Sequence, residues 1–331
     1  MTEPAPSVRL AAIQQPPVFL NLPASIDRAI GHIQAAADQG AQVAGFAECW
    51  VPGYPVWLDF APAAALWDQP GAKALYRLLG ENAVVQGDAH LQRLQKTADD
   101  TGVHIVIGTH EKAGGTLYNT SFYFSPAAAD YAWHRKLTPT YTERLVWGMG
   151  DGSTLATVGT DFGRLGGLIC WEHWIPLARA AMHAKDETVH VAQWPVVKDI
   201  HQVASRHYAF EGRCFVIAAG SIMTKGDILD GFQSLEGTAP EAEDLLLSIP
   251  GQAASLVHNG GSAIIGPDGD YLAEPVFDTA TTVIADARLA AIAEGQLTLD
   301  TSGHYARPDV FELNVDTRPR PGVTFGDDPE A

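Results

Sequence analysis

Apolar and polar positions alternate between two periods along most of the chain. "VRLAAIQ" (Val8–Gln14) is a short apolar run with the pattern of a buried strand, and "ASIDRAIGHIQAAADQG" then puts Ile26, Ile30, Ile33 and Ala37 on one helical face before Gly40 stops it. The strand-to-helix step recurs: "AQVAGFAE" is a strand ending at Glu48, "AHLQRLQKTADDTG" a helix stopped by Gly102, and "HIVIGTHEK" the next strand. A hairpin follows through "AGG" (Ala113–Gly115) into "TLYNTSFYFS", and another through "PAAADYAWHRKL". Beyond Trp147, "LATVGTDFGRLGGLICW" predicts strand, turn and strand; helix "IPLARAAMHA", strand "VHVAQW", helix "DIHQVASRHYAFEGR" and strand "CFVIAAG" come next. From about Ser221 to Gly260 the pattern breaks, with Gly, Pro and the acidic stretch "EGTAPEAEDLL", which predicts a long functional loop or contact surface. "GGSAIIGPDGDYLAEP" then gives a hairpin around Pro-Asp-Gly, and "TTVIADARLAAIAEG" a strand and a helix. Alternation interleaved with hairpins predicts a mixed-sheet α/β sandwich with helices on its outer faces, residues 1–316 forming one domain and 317–331 a C-terminal tail.

Composition narrows the function classes. Among 331 residues, 39 Asp and Glu against 21 Lys and Arg give a formal charge of −18, a field that repels phosphate backbones and anionic membrane surfaces; nucleic acid and membrane are not expected partners. The first residues, "MTEPAPSVRL", lack the basic and apolar regions of a secretion signal, and no apolar run reaches the ~18 residues of a membrane span, so the chain reads as cytoplasmic. The cysteines are Cys49, Cys170 and Cys214, an odd set without a C-x-x-C pair, so at least one thiol is free within the chain.

Most cysteines of this kind are small buried hydrophobes, and Cys214, opening "CFVIAAG", fits that role. Cys170 is placed differently. It ends the glycine-rich strand "LGGLI" just before a helix near Trp174 and Pro176, at the carboxyl edge of a sheet where α/β proteins form clefts. A nucleophilic thiol needs a base or a cation beside it, because its resting pKa of ~8.5 leaves little thiolate at neutral pH. His173 is near in sequence, but three residues on it need not face the sulfur. Glu48 ends its own strand ahead of the aromatic "CWVPGYPVW", and Lys136 follows "YAWHR" where a loop begins. Singly, each charge is of the kind most often found solvated.

Together, "AECWVPGYP", "HRKLTPTYTERLVWGMGDGS" and "GGLICWEHWIPLARAAM", in that order, resemble the signature segments of the nitrilase, or carbon–nitrogen hydrolase, superfamily. The similarity runs from about Val8 to Val315 and takes in "NGGSAIIGPDG". The resemblance implies a four-layer αββα sandwich of two mixed β-sheets flanked by helices, a Glu–Lys–Cys triad at Glu48, Lys136 and Cys170, and a second glutamate at Glu143. It also implies homo-oligomers built from a dimer, up to spirals or filaments. "CWEH" and "GHYARPDVFEL" look like the nitrile-hydrolysing branch, which takes a small-molecule nitrile to its acid and ammonia through a cysteine thioimidate and thioester, with no cofactor and no metal. Ala47 stands where many relatives have proline, and the short tail is a second departure.

In that chemistry the Trp171 N–H supports the developing anion. Glu172 and His173 either line the pocket or bond the strand-to-helix turn, and Tyr54, Trp57 and Trp194 are expected among the pocket walls. An aliphatic amidase of the same superfamily is the alternative activity, and a non-catalytic α/β binding protein the alternative class. No H-x-x-x-H or H-E-x-x-H spacing supports a metalloenzyme.

Overall fold

The chain runs through β1 (Ser7–Gln14), α1 (Leu22–Asp38), β2 (Val43–Phe46), the single turn α2 (Trp57–Phe60), α3 (Pro70–Glu81), α4 (Ala89–Thr101), β3 (His104–Ala113), β4 (Thr116–Phe124) and β5 (Ala132–Arg135). It continues through β6 (Val158–Thr160), β7 (Gly163–Ile169), α5 (Pro176–His183), β8 (Glu187–Gln193), α6 (Asp199–Gly212), β9 (Phe215–Ala219) and β10 (Ile222–Thr224). Last come α7 (Lys225–Gln233), α8 (Pro240–Leu247), β11 (Leu256–Ile265), β12 (Tyr271–Phe277), β13 (Thr281–Arg288) and α9 (Ala290–Gln296). This computed structural model describes residues 6–237 and 239–320; the last part of the expected tail, 321–331, lies outside the described residues.

Helix ends follow local chemistry. Asn21 caps α1 by accepting the Ala24 N–H, Asp88 caps α4 by accepting from His90 and Leu91, and Gly102 closes α4 in the left-handed conformation at φ 72°. On α1 the packed stripe is Ile26, Ala29, Ile33 and Ala36, while Ile30 and Ala37 are only half-buried, so the buried face is turned from the predicted one.

One sheet has six strands in the order β13-β1-β2-β3-β4-β5, and the other has seven, β10-β11-β9-β8-β7-β6 with β12 on β11. Each is mixed: β1, β2 and β3 are parallel, as are β7, β8 and β9, and the margins pair antiparallel. Period-two patterning builds the layers. Along β1, Val8, Leu10 and Ala12 pack with Val189, Val191 and Ile217 of the second sheet, whereas Ala11 and Ile13 face the α1/α4 layer. Helices α5 and α6 cover the second sheet through Ala181, Met182, Ala204 and Tyr208. The result is the expected αββα sandwich.

The long loop expected between Ser221 and Gly260 is instead ordered: it holds β10, α7 and α8. Thr224 and Asp227 cap the start of α7, and α8 lays Leu245 against α3 so closely that a Cβ on Gly71 would fall 2.3 Å from the Glu241 carbonyl oxygen. Both helices are short, and α7 carries Gly226 and Gly231, so neither is stable alone and their apolar stripes pack with α3 into the Phe19, Trp57 and Phe232 core.

Candidate active site

Glu48, Lys136 and Cys170 each stand just beyond a strand end, after β2, β5 and β7. β5 reaches β3 through two antiparallel pairings and so runs in the direction of β2, which brings both carboxyl ends to one edge of the first sheet. The Glu48 N–H donates to the Trp194 carbonyl at 3.3 Å, tying that edge to the residue after β8 in the second sheet. A Cβ on Gly108 of β3 would lie 2.5 Å from the Cys49 nitrogen and 2.6 Å from the Ala47 oxygen, so only glycine lets the Glu48 segment cross there.

The charges converge without water-exposed surface. Lys136 Nζ donates to Glu48 Oε1 at 2.7 Å and to Glu143 Oε2 at 2.6 Å, and all three side chains are buried. Asn119 of β4 donates to the same Glu48 oxygen at 2.6 Å, while Glu48 Oε2 has no hydrogen-bond partner among the described residues. Glu143, on a short 3-10 helix (Tyr141–Leu145), also accepts the Thr140 N–H at 2.6 Å and the Tyr54 hydroxyl at 3.0 Å. Cys170 Sγ and a carboxylate oxygen from each of Glu48 and Glu143 lie within 4.8 Å of one another. A soft divalent ion could use that spacing, but the Lys136 ammonium already bonds both carboxylates and supplies the positive charge, so the donor set does not fit a resident metal.

Burial pushes the Glu48 carboxyl up to about 7, with Lys136 and Asn119 pulling down and Glu143 pushing up. Burial also raises the Cys170 thiol well above its ordinary value, and neighbouring Glu48 adds to the rise, so the resting sulfur carries its proton. For Lys136, burial acts downward but the carboxylates of Glu48 and Glu143 and the Cys170 sulfur outweigh it and keep the side chain charged. A protonated thiol thus sits near an unpaired carboxylate oxygen whose proton affinity is tuned to neutrality, beside a fixed cation. That arrangement can move a proton off sulfur and hold negative charge on an attacked atom.

Cys170 sits at φ +55°, a left-handed conformation unusual for a residue with a side chain, and begins a short 3-10 helix (Cys170–Trp174). Glu172 accepts the Ile169 N–H at 2.6 Å, the Leu137 N–H at 2.7 Å and meets His134 Nε2 at 3.0 Å, so it stitches the Cys170 turn to the residue after Lys136. Burial would raise the Glu172 carboxyl, but His134 and the two N–H donors hold it below its ordinary value. Of the two roles open to Glu172 and His173, both take the turn-bonding one: neither lines the cavity, and His173 Nδ1 bonds the Cys170 carbonyl at 2.7 Å.

A cavity of about 970 Å³ opens over the thiol. Cys170 and Glu143 form part of its wall with Tyr54, Trp171 and His258, whereas Glu48 and Lys136 lie behind that surface. Trp57 and Trp194 do not reach it: Trp57 packs in the Phe19 and α3 core, and Trp194 is sealed against His201 with its indole N–H on Ser205. Trp57 opens α2 and Trp194 directly follows β8, and the wide apolar face of a tryptophan at such an element end finds core first. Sequence reasoning missed Asn119 and His258; the only signal for Asn119 was one amide inside the apolar strand "TLYNTSFYF".

The carbon-nitrogen hydrolase family model matches residues 9–296. The chain is 36% identical over 330 residues to an aliphatic nitrilase of Rhodococcus rhodochrous, covering 96% of this chain and 82% of that one. It is 36% identical over 325 residues to nitrilase 1 of Arabidopsis thaliana, covering 97% and 90%. Among solved structures, a CN-hydrolase superfamily protein of Xanthomonas campestris superposes with a TM-score of 0.65 at 15% identity, covering 93% of this chain and 100% of that one. An amidase of the nitrilase superfamily from Nesterenkonia superposes at 0.62 with 18% identity, covering 89% and 96%. At such identities the solved structures speak for the fold alone.

Proposed function

The chain belongs to the carbon–nitrogen hydrolase family, and from that premise we infer that it is a nitrilase, hydrolysing a small-molecule nitrile to its carboxylic acid and ammonia. One observation carries the reading: a protonated thiol in the wall of a cavity has an unpaired carboxylate oxygen and a buried ammonium behind it, in a chain whose relatives, matched over most of their length, carry the name nitrilase. The amidase alternative rests on structural neighbours that share only the fold.

In this mechanism Cys170 attacks the nitrile carbon as Glu48 takes the thiol proton, and Glu48 returns it to nitrogen to give a thioimidate. Lys136 and the Trp171 N–H stabilise charge developing on nitrogen. Water attacks the thioimidate with Glu48 as base, the tetrahedral adduct expels ammonia as Glu48 protonates nitrogen, and a thioester remains. A second water, deprotonated by Glu48, releases the acid, and the proton returns to sulfur. Glu143, bonded to Lys136 and Tyr54, holds the ammonium in place and can orient the second water.

Residues 1–316 act as one catalytic domain in this reading. No described helix is long and apolar enough to cross a membrane, and the three cysteines are free and buried, as a reducing cytoplasm permits. Leu177 on α5 and Val203 on α6 leave large apolar side chains 65% and 56% exposed, surface that a homo-oligomer would cover.

The test is ammonia and acid release by purified protein from a panel of aliphatic, aromatic and arylaceto nitriles and the matching amides. Nitrile turnover with a mass adduct on the Cys170 peptide is expected. Release from propionamide alone would replace the reading with the amidase one.

A further inference from the structure

Behind the nucleophile lies a buried chain of polar groups that the mechanism above does not use. His173 Nδ1 lies 2.7 Å from the Cys170 carbonyl oxygen, His173 Nε2 lies 3.0 Å from His190 Nε2, and His190 Nδ1 lies 2.9 Å from the Glu187 carboxylate, which also accepts the Tyr208 hydroxyl. All four side chains are buried, His173 stacks on Trp194 and His190 on Tyr208.

The partners dictate the protons. A carbonyl oxygen only accepts, so His173 carries its hydrogen on Nδ1. Burial holds His173 neutral, with its pKa well below the ordinary value and neighbouring His190 adding to the effect, so its Nε2 is an acceptor. His190 therefore donates from both ring nitrogens, to His173 and to Glu187, whose carboxyl is held low against its burial by His190 and Tyr208. Glu187 thus fixes His190, and His190 fixes the His173 tautomer that points a donor at Cys170.

The atom receiving that donor matters. The Cys170 C=O and the Trp171 N–H belong to one planar trans peptide unit and point in opposite directions. A donor on the oxygen fixes the plane and polarises the unit, making its N–H a stronger and better-aimed donor at the other end. It also restrains Cys170 in its left-handed conformation at φ +55°.

We propose that His173 is a positioning residue that aims and polarises the Trp171 N–H through the Cys170 carbonyl, with Glu187 and His190 holding its tautomer. This rests on the reading of Trp171 as the anion donor.

The amide nitrogen of asparagine falls where His Nδ1 does, and that of glutamine where Nε2 does, so two substitutions separate the contacts. His173→Asn, which keeps the donor to Cys170, should recover most of the activity. His173→Gln, which keeps the reach toward His190 and loses that donor, should lower kcat by about 10-fold or more with KM within about 3-fold, because the bond acts on the transition state. Equal kcat in the two variants, or a better Gln than Asn, would overturn the proposal. Should His173→Gln not fold, Glu187→Gln serves: it removes the charge that makes His190 donate to His173, so kcat should fall with the Cys170 segment untouched, and an unchanged kcat would count against the relay. Matching amides are assayed alongside nitriles. Wild-type turnover of amides alone would discard the nitrilase reading, while the Asn and Gln comparison on amides still decides the role of His173.

Discussion

The proton affinity of Glu48 links the buried geometry to a measurable rate. Its carboxyl is raised to about 7 by burial, with Lys136 and Asn119 opposing the rise. The Asn119 amide bonds Glu48 Oε1 at 2.6 Å, and because an amide N–H can only donate, the contact favours the ionised form. Asn119→Ala removes it while the backbone bond from the Lys136 N–H to the residue 119 carbonyl, 2.8 Å, does not depend on the side chain. A hydrogen bond to a charged group contributes ~1.5–3 kcal/mol, and at 1.36 kcal/mol per pH unit its loss should move the Glu48 titration up by ~1 unit or more. As base, Glu48 must be ionised to accept the thiol proton, so activity is lost as pH falls through its pKa. The acid limb of kcat/KM should therefore lie near pH 7 in the wild type and about one unit higher in Asn119→Ala. At pH 7 the variant would retain about a fifth of wild-type kcat/KM, recovering toward wild type at about pH 9. The assay is ammonia release at sub-saturating nitrile from pH 5 to 10. A loss of constant size across that range, or an unmoved limb, would refute the assignment of Glu48 as the titrating base.

Four further outcomes follow from the same contacts. Cys170→Ala should abolish turnover and the substrate adduct seen by intact mass while leaving circular dichroism unchanged. Lys136→Met leaves the buried carboxylates of Glu48 and Glu143 without their shared cation, and should cost about 3 kcal/mol in denaturant melts besides at least ~100-fold in kcat. Glu48 is raised above its unfolded value of 4.5, so its stabilising contribution is complete below that pH and is lost as pH rises through about 7; the Tm of the wild type relative to Glu48→Gln should fall between pH 5 and 8, and a parallel pair of curves would contradict the shift. Gly108→Ala, which drives a methyl into the backbone at Ala47 and Cys49, should lower kcat more than KM and destabilise by about 1–3 kcal/mol.

The sequence by itself determined the layers and, through the family resemblance of three segments, the candidate residues of the site. Period-two runs such as Val8–Gln14 and stops such as Gly102 act through neighbours a few residues away, so strands, hairpins and most helices were legible, as were Glu48, Lys136, Glu143 and Cys170 once three segments were read together. Tertiary structure decided what depends on partners far along the chain. The helices between Ser221 and Gly260 exist because α3 offers them a face, and Trp57 and Trp194 go to the core because apolar area gains more from full burial than from a solvent-filled wall. Asn119 and the Glu187–His190–His173 chain take the positions on which their proposed roles rest only when strands β4 and β8 bring them behind Glu48 and Cys170. The proton affinity that suits Glu48 to its task was written nowhere in the local sequence: a carboxyl shifts toward neutrality only when folding strips its water and sets one cation and one amide against that loss.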